Sequence, residues 1–165
     1  MVCLLVSIGS AQAGGFYTDR THWFQMRVLE GWEAVQQPKT SSAVLIVKDV
    51  TSPQVHLALQ IRPLSQLPEL VTRDQLLEQA RAILKAVTLG KSLGPITPIT
   101  GLALTGLQTE YSDTPGSHTR VTILLDHLRH RAFVWTATAP TELFPRYDVT
   151  FDQLISGLVP ALPEN

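Results

Sequence analysis

Apolar and polar positions alternate most cleanly over residues 55–61, where Val55, Leu57, Leu59 and Ile61 point one way and His56, Ala58 and Gln60 the other. A period of two is a strand with one buried face, and here the opposite face is polar or lightly covered. Residues 44–50 (VLIVKDV) are a β-branched run and read as another strand, as do Phe16 with Tyr17 and residues 24–29. Glu30, Gly31 and Trp32 read as a turn that presents a tryptophan. From Thr72 the period changes. Leu76, Leu77, Ala80, Ile83, Leu84 and Val87 recur at helical spacing, Thr72 and Gln75 fit a capping box, and Gly90 supplies a stop. Glu78, Gln79, Arg81 and Lys85 fall on the wet side, so this is an amphipathic helix lying on a sheet.

Residues 93–100 read as a Pro-rich connector. Strands follow over 102–111 and 118–128, joined by the turn Asp113-Thr114-Pro115-Gly116-Ser117. A third strand, 131–139, returns through a short turn near Arg129 and His130. Residues 121–125 (VTILL) and 133–137 (FVWTA) are apolar on both faces, which places them mid-sheet, covered on both sides. The Thr72 helix is one cover. The other is a last helix on which Phe151, Leu154, Ile155 and Leu158 share a stripe, with Gly157 and Pro160 marking its end. These elements predict an α+β fold: a three-layer α/β/α sandwich with a mostly antiparallel sheet of six to seven strands.

Composition narrows the compartment and class. The 165 residues fit one domain, and 44% hydrophobic with 16% charged residues gives a real core and excludes a disordered chain. A net charge of −1, with no run of like charge, gives no field to draw the protein to nucleic acid. Residues 1–13 (MVCLLVSIGSAQA) carry no charge, are apolar over 2–8, and end in Ala11-Gln12-Ala13. This is the layout of a signal peptide cut after Ala13, and it is too short to span a membrane. No Lys or Arg precedes the apolar run, which points to a start upstream of Met1. The expected product is a single domain over 14–160 with a flexible tail at 161–165, periplasmic or secreted and without a membrane span. The single cysteine, Cys3, lies in the leader with too little chain before it for a lipoprotein motif. The mature domain therefore has no disulfide, thiolate metal site or cysteine nucleophile.

Several residues together carry a family likeness. Tyr17, Asp19, Phe24 and the Gly31-Trp32 pair stand near the mature start, followed by one long amphipathic helix. Tyr111 lies on a strand of a meander that ends in Val134-Trp135-Thr136-Ala137-Thr138-Ala139. The close is Phe144, Tyr147 and Phe151-Asp152-x-Leu154-Ile155-Ser156-Gly157-Leu158. In this order of elements the chain resembles the PsbP-like/DcrB-like group of small exported α/β/α proteins, over nearly the whole mature length. The Ser156-Gly157 step departs slightly from the family's closing pattern. The resemblance implies a non-enzymatic protein, since members serve as extrinsic photosystem subunits, assembly factors, envelope lipoproteins or chaperone-like binders. It carries over no catalytic residues and selects no partner.

His118, His127 and His130 are candidate metal ligands on one hairpin, but His127 and His130 would point to opposite faces of a regular strand. Asp113 and His118 flank the turn, and with Ser112 and Ser117 they hold the raw material of a nucleophile, without the G-x-S-x-G elbow that would position it. No Gly-rich phosphate loop occurs; residues 101–106 (GLALTG) read as strand. The acids Asp49, Glu110, Asp113 and Asp126 are scattered and read as solvated strand ends. His127, Arg129, His130 and Arg131 form a basic hairpin tip. Trp23, Arg129, His130 and Arg131 are the interface candidates, since exposed aromatic and basic side chains anchor interfaces. Trp135 reads as core and Trp32 as a cap on one end of the sandwich. The expectation is an exported, non-enzymatic binding or assembly protein of the cell envelope, docking on a protein partner and needing no cofactor. The alternative is a small-ligand or metal carrier built on the 113–131 hairpin.

Overall fold

The structure is a computed structural model that describes residues 10–11, 14–64, 71–99, 104–112 and 115–161. In chain order the strands are Ser10–Ala11 (β1), Phe16–Asp19 (β2), Phe24–Arg27 (β3), Trp32–Gln36 (β4), Leu45–Asp49 (β5) and His56–Pro63 (β6), followed by helix Arg73–Val87 (α1). Then come Thr97–Ile99 (β7), Thr105–Ser112 (β8), Ser117–Asp126 (β9), Arg131–Pro140 (β10), helix Phe144–Ser156 (α2) and Leu158–Pro160 (β11). The main sheet runs β1-β4-β5-β6-β10-β9-β8-β7 and a small one β11-β3-β2, with antiparallel pairing in both. Beyond the two-residue β1, which falls inside the predicted leader and pairs Ser10 with Val35, the main sheet has the seven strands of the upper expectation.

The two doubly apolar strands lie where expected, β10 between β6 and β9, and β9 between β10 and β8. Alternation sorts their side chains into two cores. Leu124, Phe133, Trp135 and Ala137 pack beneath α2, with Phe144, Phe151 and Leu154. Val121, Ile123, Leu125, Ala132 and Val134 meet Leu76, Ala80 and Leu84 of α1 on the other face. The α1 start is as read: Thr72 Oγ1 accepts from Gln75 N at 3.3 Å, and Gln75 Oε1 accepts from Thr72 N at 2.9 Å. Gly106 in β8 meets a close backbone, since a Cβ there would lie 2.3 Å from the Ile123 carbonyl oxygen.

The second sheet is new relative to the sequence reading. It lies on the α2 side and adds Tyr17, Phe24 and Met26 to that core. Arg131 latches it to the main sheet. Its guanidinium donates to the carbonyls of His22 and Trp23, the latter at 3.0 Å, and its Nε to Asp126 at 3.0 Å.

Three segments differ from expectation. Residues 30–32 do turn, through Gly31 at φ 80°, but Trp32 then opens β4 instead of capping the sandwich from a loop. Its ring is buried edge-on against Tyr147 and Phe151, at 6.0 and 6.2 Å. The connector 93–100 contains β7, an edge strand, which is where a sheet tolerates Pro98. Leu158 and Pro160 belong to β11, not to the helix end. The helix closes at Ser156, and Leu158 pairs with Met26. Ala161 is held as well, its N–H donating to Trp23 O at 2.9 Å, while residues 162–165 of the predicted tail lie outside the described residues.

Truncating Leu84, 1% exposed, tests the α1 face. Leu84→Ala should cost about 2–5 kcal/mol in urea denaturation. Leu89→Ala, at a side chain 79% exposed, should change stability by less than about 0.5 kcal/mol. Equal effects would remove α1 from the core.

Candidate functional site

Arg120 occupies a core position. Alternation along β9 puts it on the α2 face with Thr122 and Leu124, opposite Ala137, and it is only 5% exposed. A guanidinium cannot be left there without partners. Two elements supply them. Glu110 lies directly across on β8, and its Oε1 accepts from Arg120 Nε at 2.8 Å and Nη2 at 2.6 Å. Asp148 and Asp152 sit four residues apart on α2, hence on one face. Arg120 Nη2 donates to Asp148, and Nη1 to Asp152 at 3.0 Å. The second Glu110 oxygen lies 2.9 Å from His118 Nε2. The Phe144 ring closes the cluster, 4.3 Å from the His118 ring centre and 5.5 Å from the guanidinium carbon.

Three carboxylates thus share one guanidinium, leaving local negative charge in excess. Burial alone would raise the Glu110 pKa, but hydrogen bonds from His118 and Arg120 outweigh it and hold the carboxyl below its ordinary value. Burial likewise works against the Arg120 charge, and the bonds to Glu110 and Asp148 more than restore it. Asp152 goes the other way. Burial raises its pKa, Arg120 opposes, and neighbouring Asp148 adds to the rise.

Two open clefts flank Arg120 between α2 and the β7–β8 side of the sheet. One, of about 350 Å³, is lined by Glu110, His118, Arg120, Thr141, Phe144 and Asp148 among others. The other, of about 400 Å³, has Gln108 and Thr122 at its base and Ile99, Val149, Asp152 and Ile155 around it. Thr122 is 1% exposed, and its Oγ1 has no hydrogen-bond partner among the described residues. Trp135, opposite Thr122 in the β9–β10 register, has an unpartnered Nε1 as well.

The residues singled out from sequence are distributed differently. His118 opens β9, whereas His127 and His130 follow its far end, roughly 30 Å away along ten extended residues. The fold does not bring the three together. Asp113 lies outside the described residues. The basic tip is partly neutralised from within: Arg129 and Arg131 both bond Asp126, which is 2% exposed and so not a solvated strand end. Arg131 is itself buried and serves as a latch between the sheets. Arg129 is half-buried, His130 is exposed at φ 49°, and Trp23 is half-buried at φ 51° with its carbonyl taken by Arg131 and Ala161. Asp49 also has partners, accepting from Tyr147 Oη at 2.8 Å and Thr51 N at 2.7 Å.

The Arg120 network was missed. Its signal was a lone arginine abutting VTILL on a strand already read as buried. The i, i+4 acids beside the Phe151 stripe were the matching half.

A scan against protein-family models and a search of curated proteins give no match. Solved structures do match. Cyanobacterial PsbP (CyanoP) from Synechocystis superposes with a TM-score of 0.61 at 16% identity, over 97% of this chain and 98% of that one. The fold is PsbP-like. A Bacteroides thetaiotaomicron structure also superposes at 0.61 with 10% identity, over 92% of this chain, which spans 50% of that one. The PsbP-like frame explains the shape, and the Arg120 network is read from this chain's own residues. Among the described residues no helix is long and apolar enough to cross a membrane.

The depressed Glu110 pKa fixes a sign. Its stabilisation is fully present above the ordinary value of 4.5 and is lost as pH falls through the lower folded value. Melting temperatures taken between about pH 5 and pH 2 should fall more steeply for the wild type than for Glu110→Gln, which starts lower at neutral pH. Parallel curves would show that Glu110 does not carry the acid response.

Proposed function

We propose that this chain is an exported accessory protein that acts outside the cytoplasm by docking on another protein, not by catalysis. The reading is carried by Arg120. The strongest charge-stabilising group beside the clefts is held by three carboxylates of its own chain, fixed for structure and not aimed at a substrate. The PsbP-like fold supports the same reading, since the sequence resemblance implies accessory and assembly roles. The docking face is the side of α2 that looks onto β7 and β8. There the carboxylates of Glu110, Asp148 and Asp152 keep 38, 49 and 62% of their side-chain exposure, and Val149 stands 67% exposed beside them. An acidic rim around an apolar anchor suits a basic partner surface and speeds its encounter.

Two measurements test this. A photocrosslinking residue at Val149 should give a discrete adduct in cells, and the same residue at Leu89, two residues past the end of α1, should give none. Adducts from both positions or from neither would reject the docking face. Export predicts a mature N-terminus at Gly14, read by intact mass, and a protein retaining residues 1–13 would refute cleavage after Ala13.

A further inference from the structure

We propose that the cleft between β7–β8 and α2 receives a basic side chain, lysine or arginine, from the docking partner. This deepens the docking reading and rests on it. Three independent features meet in the cleft. The first is Thr122. Buried polar atoms in folded proteins are nearly always paired, yet this hydroxyl, on a residue 1% exposed at the base of a cleft, has no hydrogen-bond partner among the described residues. The oxygen is itself buried beneath the cleft lining, an unpaired acceptor that a donor reaches only by parting the side chains above it. Trp135 Nε1, across the β9–β10 register from Thr122, is likewise buried and unpartnered among the described residues but does not line the cleft.

The second feature is charge. Arg120 bonds Asp152 through Oδ1, but it also serves Glu110 and Asp148, so the group is under-neutralised. Asp152 lies on the cleft wall with its side chain 62% exposed. A second cation there completes the balance that Arg120 begins, and an anion would be repelled. The third feature is the wall. Ile99, Val149 and Ile155 line it and offer apolar surface to a methylene stem, with Asp152 and the Gln108 amide on the same lining for the head group and Thr122 beneath. At about 400 Å³ the cleft has room for one such side chain.

The test is a titration of the isotope-labelled protein, followed by amide chemical shifts, with Nα-acetyl-lysine amide, Nα-acetyl-arginine amide and the uncharged Nα-acetyl-norleucine amide. The basic probes should shift the Thr122 and Asp152 amides with a Kd on the order of 1 mM, and the norleucine probe should not. Asp152→Asn should weaken lysine binding about tenfold or more. Thr122→Val keeps the side-chain shape and removes the open hydroxyl. It should keep the melting temperature of the wild type while weakening the basic probes. Silent cleft amides, an equal response to norleucine, or undiminished binding by Asp152→Asn would each overturn the proposal. So would a Thr122→Val protein that melts early but binds normally, because the hydroxyl would then serve the fold alone. A Val149 adduct together with silent cleft amides overturns this assignment and leaves docking itself standing.

Discussion

Ten residues of β9 lie opposite ten of β10, and most are buried on whichever face they point to. A ribbon apolar on both sides must be covered twice, and that requirement organises the molecule. On one side α1 suffices, because Leu76, Ala80 and Leu84 meet the odd-numbered β9 positions directly. On the other side a 13-residue α2, about 20 Å long, cannot cover a sheet of eight strands spaced about 4.8 Å apart. The β2–β3–β11 sheet fills the remainder with Tyr17, Phe24 and Met26, and Arg131 fastens it down. Toward β7 and β8 the cover runs out. The residues on that same face become Gln108, Glu110, Arg120 and Thr122. The candidate site is therefore where the second layer stops, and its polarity follows from its place in the sandwich.

Strong local patterns were legible in the sequence. The capping box at Thr72, the alternation at 55–61 and the doubly apolar runs at 121–125 and 133–137 each depend on neighbours in sequence, and each is present. What escaped depends on distant partners. β7 and β11 are three residues each, carry proline, and exist only because β8 and β3 offer open edges. β4 hides because Glu33 breaks the apolar run, yet in the fold Glu33 sits 3.6 Å from Lys48 of β5 while Trp32 and Ala34 point inward. The bonding of the basic tip was hidden for the same reason. Linear counting of Arg129 and Arg131 sees two cations, whereas the folded chain spends both on Asp126 and one of them on backbone carbonyls in the other sheet. The acids were read as scattered because Glu110 and the Asp148–Asp152 pair meet only once β8 and α2 close over Arg120.

The Arg120 network is not explained by stability. Taking a guanidinium and carboxylates out of water costs several kcal/mol per ion before their attraction returns it, and apolar residues of similar volume often fold as well or better. Orientation is what the polar version adds. Glu110 stands opposite Arg120 only in the observed β8–β9 register. Asp148 and Asp152 reach the guanidinium together only if α2 lies along the sheet in one rotation, which also aims Phe144 and Phe151 into the core. One or two carboxylates would be enough to fix that geometry and neutralise the arginine. The third raises the charge of the rim without adding a partner for any other group in the cluster, and burial with Asp148 nearby makes Asp152 the acid that bears the cost. In the docking proposal, that surplus carboxylate on the cleft wall is the group that meets a cation from the partner.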